Sequence, residues 1–197
     1  LAMIVWMSLR TGVPGQPSDF TLKNYSAILA DPYTYRVLWT TLYFSAVTIA
    51  VAVPLGFVFA WLIERSDMPY KALAMSLLSV GILFPTFLKA MGWVFLLHPR
   101  IGVINIFLMQ LFGLSKAPLN IATLTGIGFV QGLTLTPLAY VMISAALKSF
   151  NPALVEAASV HGVSQWRTLI RVELPLIWPA LFPAVVWTFA EAHAAFQ

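Results

Sequence analysis

The sequence predicts an all-α polytopic membrane protein, truncated at both ends. Three observations carry this. Of its 197 residues 60% are hydrophobic and only 9% charged, whereas a soluble domain carries about 25% charged residues. The mean hydropathy is +0.86. Uncharged, mostly apolar runs cover residues 37–63 and 117–147. Each is longer than the roughly 20 residues that span hydrocarbon as a helix at about 1.5 Å per residue.

The elements follow in order. Residues 1–9, with "LAMIVWMSL", are too short to span and read as the tail of a preceding transmembrane helix. They lack the basic opening and small-residue cleavage site of a secretory signal. Residues 10–35 form an external loop with three prolines and a short helix around 25–29. Residues 35–63 are the first complete span, and "ERSDMPYK" (64–71) is a tight polar turn. Residues 72–97 read as one second span, with Lys89 snorkelling from its end toward the headgroups. The uncharged run 101–115, bracketed by Gly102 and Gly113, is short for a span and suits an interfacial or partly re-entrant helix. Residues 119–147 are the third span, and a last one begins near Pro179 and stops inside an apolar stretch.

Single residues refine this map. Pro54, Pro85 and Pro137 sit inside spans and predict kinks. Gly126 and Gly128 suit close helix packing. Trp61, Trp93 and Trp178 fit an aromatic belt at the membrane boundaries.

Residues 148–178 break the apolar pattern with "EAASVHGVSQWRTLIRVELP". Asn151 and Pro152 make a strong helix start. Leu154, Val155, Ala157 and Ala158 fill a short helix, with Glu156 near its positive end. Gly162 can take the left-handed geometry that ends it, and Ser164 can cap a second helix over 165–172. That helix should end near Leu174, before Pro175. Trp166, Leu169, Ile170 and Glu173 fall on one face of it. Two helices this short need a surface to lie on, whether a membrane or a partner.

The spacing of this segment resembles the EAA signature of binding-protein-dependent ABC transporter permeases. Glu156, Ala157, Ala158, Gly162, Val172, Leu174 and Pro175 match every position of that pattern. Val172 stands where isoleucine is more usual. The resemblance implies an ABC importer permease core over residues 36–197, with 148–178 as a cytoplasmic segment that docks on an ATPase and passes its motion to the membrane helices. It puts residues 64–71 on the same side and the chain in the inner (plasma) membrane. The implied partners are a cytoplasmic ABC ATPase dimer, which would bind ATP-Mg, an external or periplasmic solute-binding protein, and a second permease core, fused or separate. A weaker likeness, of "GWVFLLHPRIGVIN" to ferric-iron permeases, makes iron the first expected solute. Thiamine, polyamine and phosphonate permeases share much of it.

Other chemistry is poorly served. There is no cysteine and no GxxxxGK[ST] phosphate loop, so no cofactor is expected in this chain. His98, His161 and His193 have no partner at metal-ligand spacing. No Ser/His/Asp grouping emerges, and the chain does not read as a self-contained enzyme. The net charge of +4 is too thinly spread for nucleic acid. Glu191, inside the last span, should face a bundle interior or an aqueous path.

Charge bias does not orient the chain. One side carries Arg65, Lys71, Lys148, Arg167 and Arg171; the other carries Arg10, Lys23, Arg36, Lys89, Arg100 and Lys116. A secondary transporter with broken helices and a membrane scaffold that recruits a partner through 148–178 are the rival whole-chain readings.

Overall fold

The protein is seen in a computed structural model that describes residues 2–11, 19–149, 153, 158 and 160–194. It is all-α and divides into two compact units, Leu1–Leu42 and Tyr43–Gln197.

The first unit holds α1 (Ala2–Ser8), α2 (Lys23–Ala30) and the opening turns of α3 (Pro32–Arg65). Asn24 Nδ2 donates to the carbonyls of Ser8 at 2.9 Å and Arg10 at 3.1 Å, tying α2 to the end of α1. The short helix expected at 25–29 is therefore present and a little longer. Asp31 Oδ1 accepts the Tyr33 N–H at 2.8 Å and caps α3, with Pro32 as its first residue.

The second unit holds the rest of α3, then α4 (Lys71–Leu83), α5 (Thr86–Leu97), α6 (Val103–Phe112) and α7 (Leu124–Ser149). A short helix α8 (Gln165–Thr168), a π-turn (Leu169–Glu173) and α9 (Leu174–Ala194) complete it. α3 and α7, the two spans with unbroken apolar runs, are each long and apolar enough to cross a membrane. They touch backbone to backbone. A Cβ on Gly56 would lie 2.7 Å from Ala139 Cβ and 2.9 Å from the Tyr140 nitrogen, and one on Gly132 would lie 2.6 Å from Val51 Cβ. Ala52 and Ala60 are fully buried along the same seam. Gly128 packs on this seam as expected, but Gly126 instead makes room for the Asn120 loop that precedes α7. Ile63, Ile143, Leu147, Ile177 and Leu181 complete the core where α3, α7 and α9 meet.

The second span is not one helix. α4 and α5 meet at 109° across Phe84 and Pro85. Pro85 has no N–H for the Gly81 carbonyl and its ring crowds that turn, while Phe84 before it is held extended at ψ 131°. Lys89 takes up the freed group: its Nζ donates to the Gly81 carbonyl at 3.2 Å. The lysine thus turns inward, against the expectation that it snorkels.

α6 is the ten-residue helix expected between Gly102 and Gly113, and Gly113 closes it in a left-handed conformation, φ 62°. Fully buried Asn105 pins the surrounding loop. Its Nδ2 donates to the carbonyls of Leu97, His98 and Leu119, at 2.8 to 3.2 Å, and its Oδ1 accepts the Leu119 N–H at 3.0 Å. Gly102 has no room for a side chain, since a Cβ would lie 2.6 Å from the His98 nitrogen.

The last helix starts earlier than Pro179. The chain passes through Pro175 because the turn before it widens: the Leu174 N–H bonds the Leu169 carbonyl, five residues back. A wider ring removes the crowding that a proline imposes on an α-turn. Past Pro179 the helix bends by 60°.

Candidate functional site

Besides the Asn105 cluster, two features among the described residues gather polar side chains. One is a cavity of about 310 Å³ between α4, α5, α7 and α9. Thr86 and Lys89 line it from α5, Gln131 and Thr134 from α7, and Glu191 from α9. Ile82, Leu135, Leu138 and Ala194 supply apolar wall. The bend at Pro85 is what turns α5 so that Thr86 and Lys89 reach it. Donors and acceptors are thus present together, with hydrocarbon between them. A second cavity, of about 350 Å³ between α3 and α9, is lined by apolar residues, Pro54 and Trp178. It offers little to orient a hydrophilic molecule.

The other feature is a polar network at the last turn of α3. Trp61 and Arg65, one helical turn apart, face Glu173 of the π-turn. The Trp61 indole N–H donates to Glu173 Oε2 at 3.0 Å, and Arg65 Nε lies 3.6 Å from Oε1. Arg65 Nη2 also donates to the Leu147 carbonyl at 3.0 Å, closing one of the free carbonyls at the end of α7. Glu64 points the other way. Its Oε1 accepts the Ser144 hydroxyl at 2.7 Å and pairs with Lys148 Nζ at 3.2 Å. Glu173 is only 5% exposed. Removing one partner from a buried pair of this kind costs about 3–5 kcal/mol, because the other charge is left desolvated.

The sequence-predicted residues are distributed between these features. Glu191 lines the cavity. Glu156 and Ala157 lie outside the described residues, as do Asn151, Pro152, Leu154 and Val155. Gly162 is left-handed, φ 72°, with nothing within 4 Å of where a Cβ would sit. Val172, Leu174 and Pro175 flank Glu173 in the π-turn and the start of α9. The expected common face of Trp166, Leu169, Ile170 and Glu173 is split. Leu169 and Glu173 are buried, whereas Trp166 is 65% exposed and Ile170 47%. Trp61 is engaged with Glu173 and Trp93 packs on Leu97, Ile121 and Val130. Glu173, Arg65 and Trp61 were not singled out as a group by the sequence. The available signal was Trp61 and Arg65 at i and i+4 at the end of an apolar run.

Comparison with known proteins gives these features a setting. The trehalose transport system permease protein SugA of Mycobacterium tuberculosis (strain CDC 1551 / Oshkosh) is 28% identical over 202 residues, covering 98% of this chain and 63% of SugA. The maltose/maltodextrin transport system permease protein MalF of Escherichia coli (strain K12) is 27% identical over 184 residues, covering 90% of this chain and 36% of MalF. The chain therefore spans less than two thirds of the length of these relatives. A crystal structure of a bacterial ABC transporter involved in the import of the acidic polysaccharide alginate shares the fold, with a TM-score of 0.70 at 19% identity over 95% of this chain and 65% of that one. Residues 52–196 match the family described as binding-protein-dependent transport system inner membrane component. With its long apolar helices and that match, the chain is a multi-span membrane protein belonging to the family of binding-protein-dependent transport system inner membrane components.

Proposed function

We propose that this chain is part of the transmembrane permease subunit of an ATP-driven ABC importer for a carbohydrate-type solute. The cavity beside Glu191 carries the reading. A carbohydrate presents hydroxyls at its edge and C–H groups on its faces. Lys89, Thr86, Gln131, Thr134 and Glu191 can exchange hydrogen bonds with the first, and Ile82, Leu135 and Leu138 can pack on the second. Such contacts hold a solute loosely enough to release it. Glu191 is thus a path residue. SugA and MalF are named for trehalose and maltose/maltodextrin transport, which favours the same class of solute.

The expectation of ferric iron has no such support. It rested on "GWVFLLHPRIGVIN", and the two most distinctive residues there, Gly102 and Asn105, are occupied in closing a loop. Nothing favours thiamine, polyamine or phosphonate. The chain itself has no catalytic role in this reading. ATP-Mg binds a separate cytoplasmic ATPase dimer that docks on residues 148–178 through the EAA-like motif of Glu156, Ala157, Ala158, Gly162, Val172, Leu174 and Pro175. An external binding protein delivers the solute, a second permease core completes the pathway, and residues 10–35 lie outside.

Deleting the parent gene should abolish uptake of a labelled carbohydrate among trehalose, maltose and alginate oligosaccharide, with recovery on complementation. Glu191→Gln should lower that uptake by about tenfold, the equivalent of one charge-assisted hydrogen bond. A complementable loss of iron uptake with all carbohydrate fluxes intact would reject the solute class.

Sidedness has its own check. Asp67 and Ser164 are both exposed, and the chain has no cysteine. Single cysteines at these positions should react with a membrane-impermeant thiol reagent only after cells are opened. Labelling of either in intact cells would reverse the assignment.

A further inference from the structure

We infer that Arg65, Glu173 and Trp61 form the joint through which displacement of the coupling segment reaches α3 and α7, and that all three are positioning residues. The inference rests on the reading that residues 148–178 receive an ATPase. Its basis is the connectivity of the network. Glu64 joins α3 to α7 alone, through Ser144 and Lys148. Arg65 joins three elements at once: it belongs to α3, donates to the Leu147 carbonyl of α7, and pairs with Glu173 of the π-turn. The π-turn follows directly on α8, the helix that begins just after left-handed Gly162.

The chemistry suits a joint better than a packing contact. Apolar side chains can slide over one another at little cost, whereas a buried carboxylate cannot leave its indole donor and its guanidinium counter-charge without a large desolvation cost. Buried ion pairs add little stability compared with apolar residues of the same size, but they fix one relative position of the elements that carry them. Glu173 is set in a π-turn held by an i to i−5 bond from Leu174 to Leu169. π-turns are uncommon and occur often at functional sites. A push on α8 therefore arrives at a turn whose one buried charge is tied to the ends of two spanning helices.

The test uses the full parent permease assembled with its ATPase. An environment-sensitive fluorophore is placed on a single cysteine replacing Val58, an exposed residue of α3. In the wild-type background, Mg-ATP with vanadate should shift the emission. Glu173→Gln keeps an acceptor for Trp61 but removes the charge. It should retain the ATPase at wild-type stoichiometry and lose at least four fifths of the emission shift. Arg65→Glu should behave alike, and the reversed pair Arg65→Glu/Glu173→Arg should recover at least half of the shift. Recovery by reversal is not expected of residues that merely fill space. Should Glu173→Gln fail to assemble, Trp61→Phe and Arg65→Lys remove one contact each, and each should at least halve the shift.

A full emission shift in Glu173→Gln, or in both milder variants, would overturn the joint while leaving the importer reading intact. So would a wild-type assembly that binds its ATPase but shows no shift at α3, or a reversed pair that recovers none. A wild-type permease that co-purifies with no ATPase would overturn the importer reading and the joint together.

Discussion

Asn105→Leu should lower the unfolding free energy of the purified permease by about 3 kcal/mol or more, since each polar group left unpaired on burial costs about 1–3 kcal/mol. The substitution keeps the number of side-chain heavy atoms, so no cavity opens, and the added bulk of leucine's methyls acts in the same direction as the lost hydrogen bonds. It strands the carbonyls of Leu97, His98 and Leu119 and the N–H of Leu119. Those groups come from the end of α5 and from the loop that leads to α7. Their release should loosen α6 against its neighbours before α3 and α7 separate. Thermal melting in detergent measures the loss. Hydrogen exchange should show it first at residues 98–119. An unchanged melting midpoint would mean that water already serves these groups and that Asn105 is dispensable.

Gly56→Val should be at least as damaging. Overpacking a tight contact costs about 1–3 kcal/mol, more when backbone rather than a side chain must yield. Here the added atoms meet the Tyr140 nitrogen and the Ala139 carbonyl carbon at 2.9 and 3.0 Å. α3 and α7 would be forced apart along their whole seam, and little assembled protein should be recovered. Gly92→Ala provides the control. Gly92 lies in α5 with nothing within 4 Å of an added Cβ, and alanine is favoured over glycine in a helix by about 1 kcal/mol. Equal yields of Gly56→Val and Gly92→Ala would refute the seam.

Much of this fold was legible because membranes impose simple rules on sequence. α3 and α7 announce themselves as uninterrupted apolar runs, and Gly102 and Gly113 bracket α6 as expected. Pro85 was visible as a disruption, but its 109° outcome was not. A proline removes one bond and crowds one turn; how far the chain then bends depends on what donates to the freed carbonyl. That donation by Lys89 is a tertiary fact. Pro175 misled in the opposite direction. It read as a helix stop, yet the preceding turn widened and the helix went on. A π-turn leaves no composition signal, so the widened turn could not be read from spacing.

The site was legible in proportion to how local its residues are. Gly162 needed a left-handed backbone, which a glycine between two helical stretches indicates, and it has one. Glu191 inside an apolar span pointed to a polar surrounding, and it lines the cavity. Gln131 and Thr134 gave no such signal, because a glutamine and a threonine among apolar residues are ordinary in a membrane helix. Only the packing of α7 against α5 and α9 makes them neighbours of Glu191. The segment "GWVFLLHPRIGVIN" carries a family likeness and not a site: the contacts of Gly102 and Asn105 are with the chain itself.

The seam between α3 and α7 sets the mechanics of the molecule. Where backbones touch through Gly56, Gly132 and Ala139, no layer of side chains is left to compress or to change rotamer. A slide by one residue would drive a branched side chain into a carbonyl, as Val51 already stands against Gly132. The two helices consequently behave as one stiff beam. Gln131 and Thr134 ride on that beam, while Lys89 and Glu191 ride on segments that proline has bent. Widening or narrowing of the cavity is thereby assigned to the bent walls, which swing relative to a beam that moves as one piece.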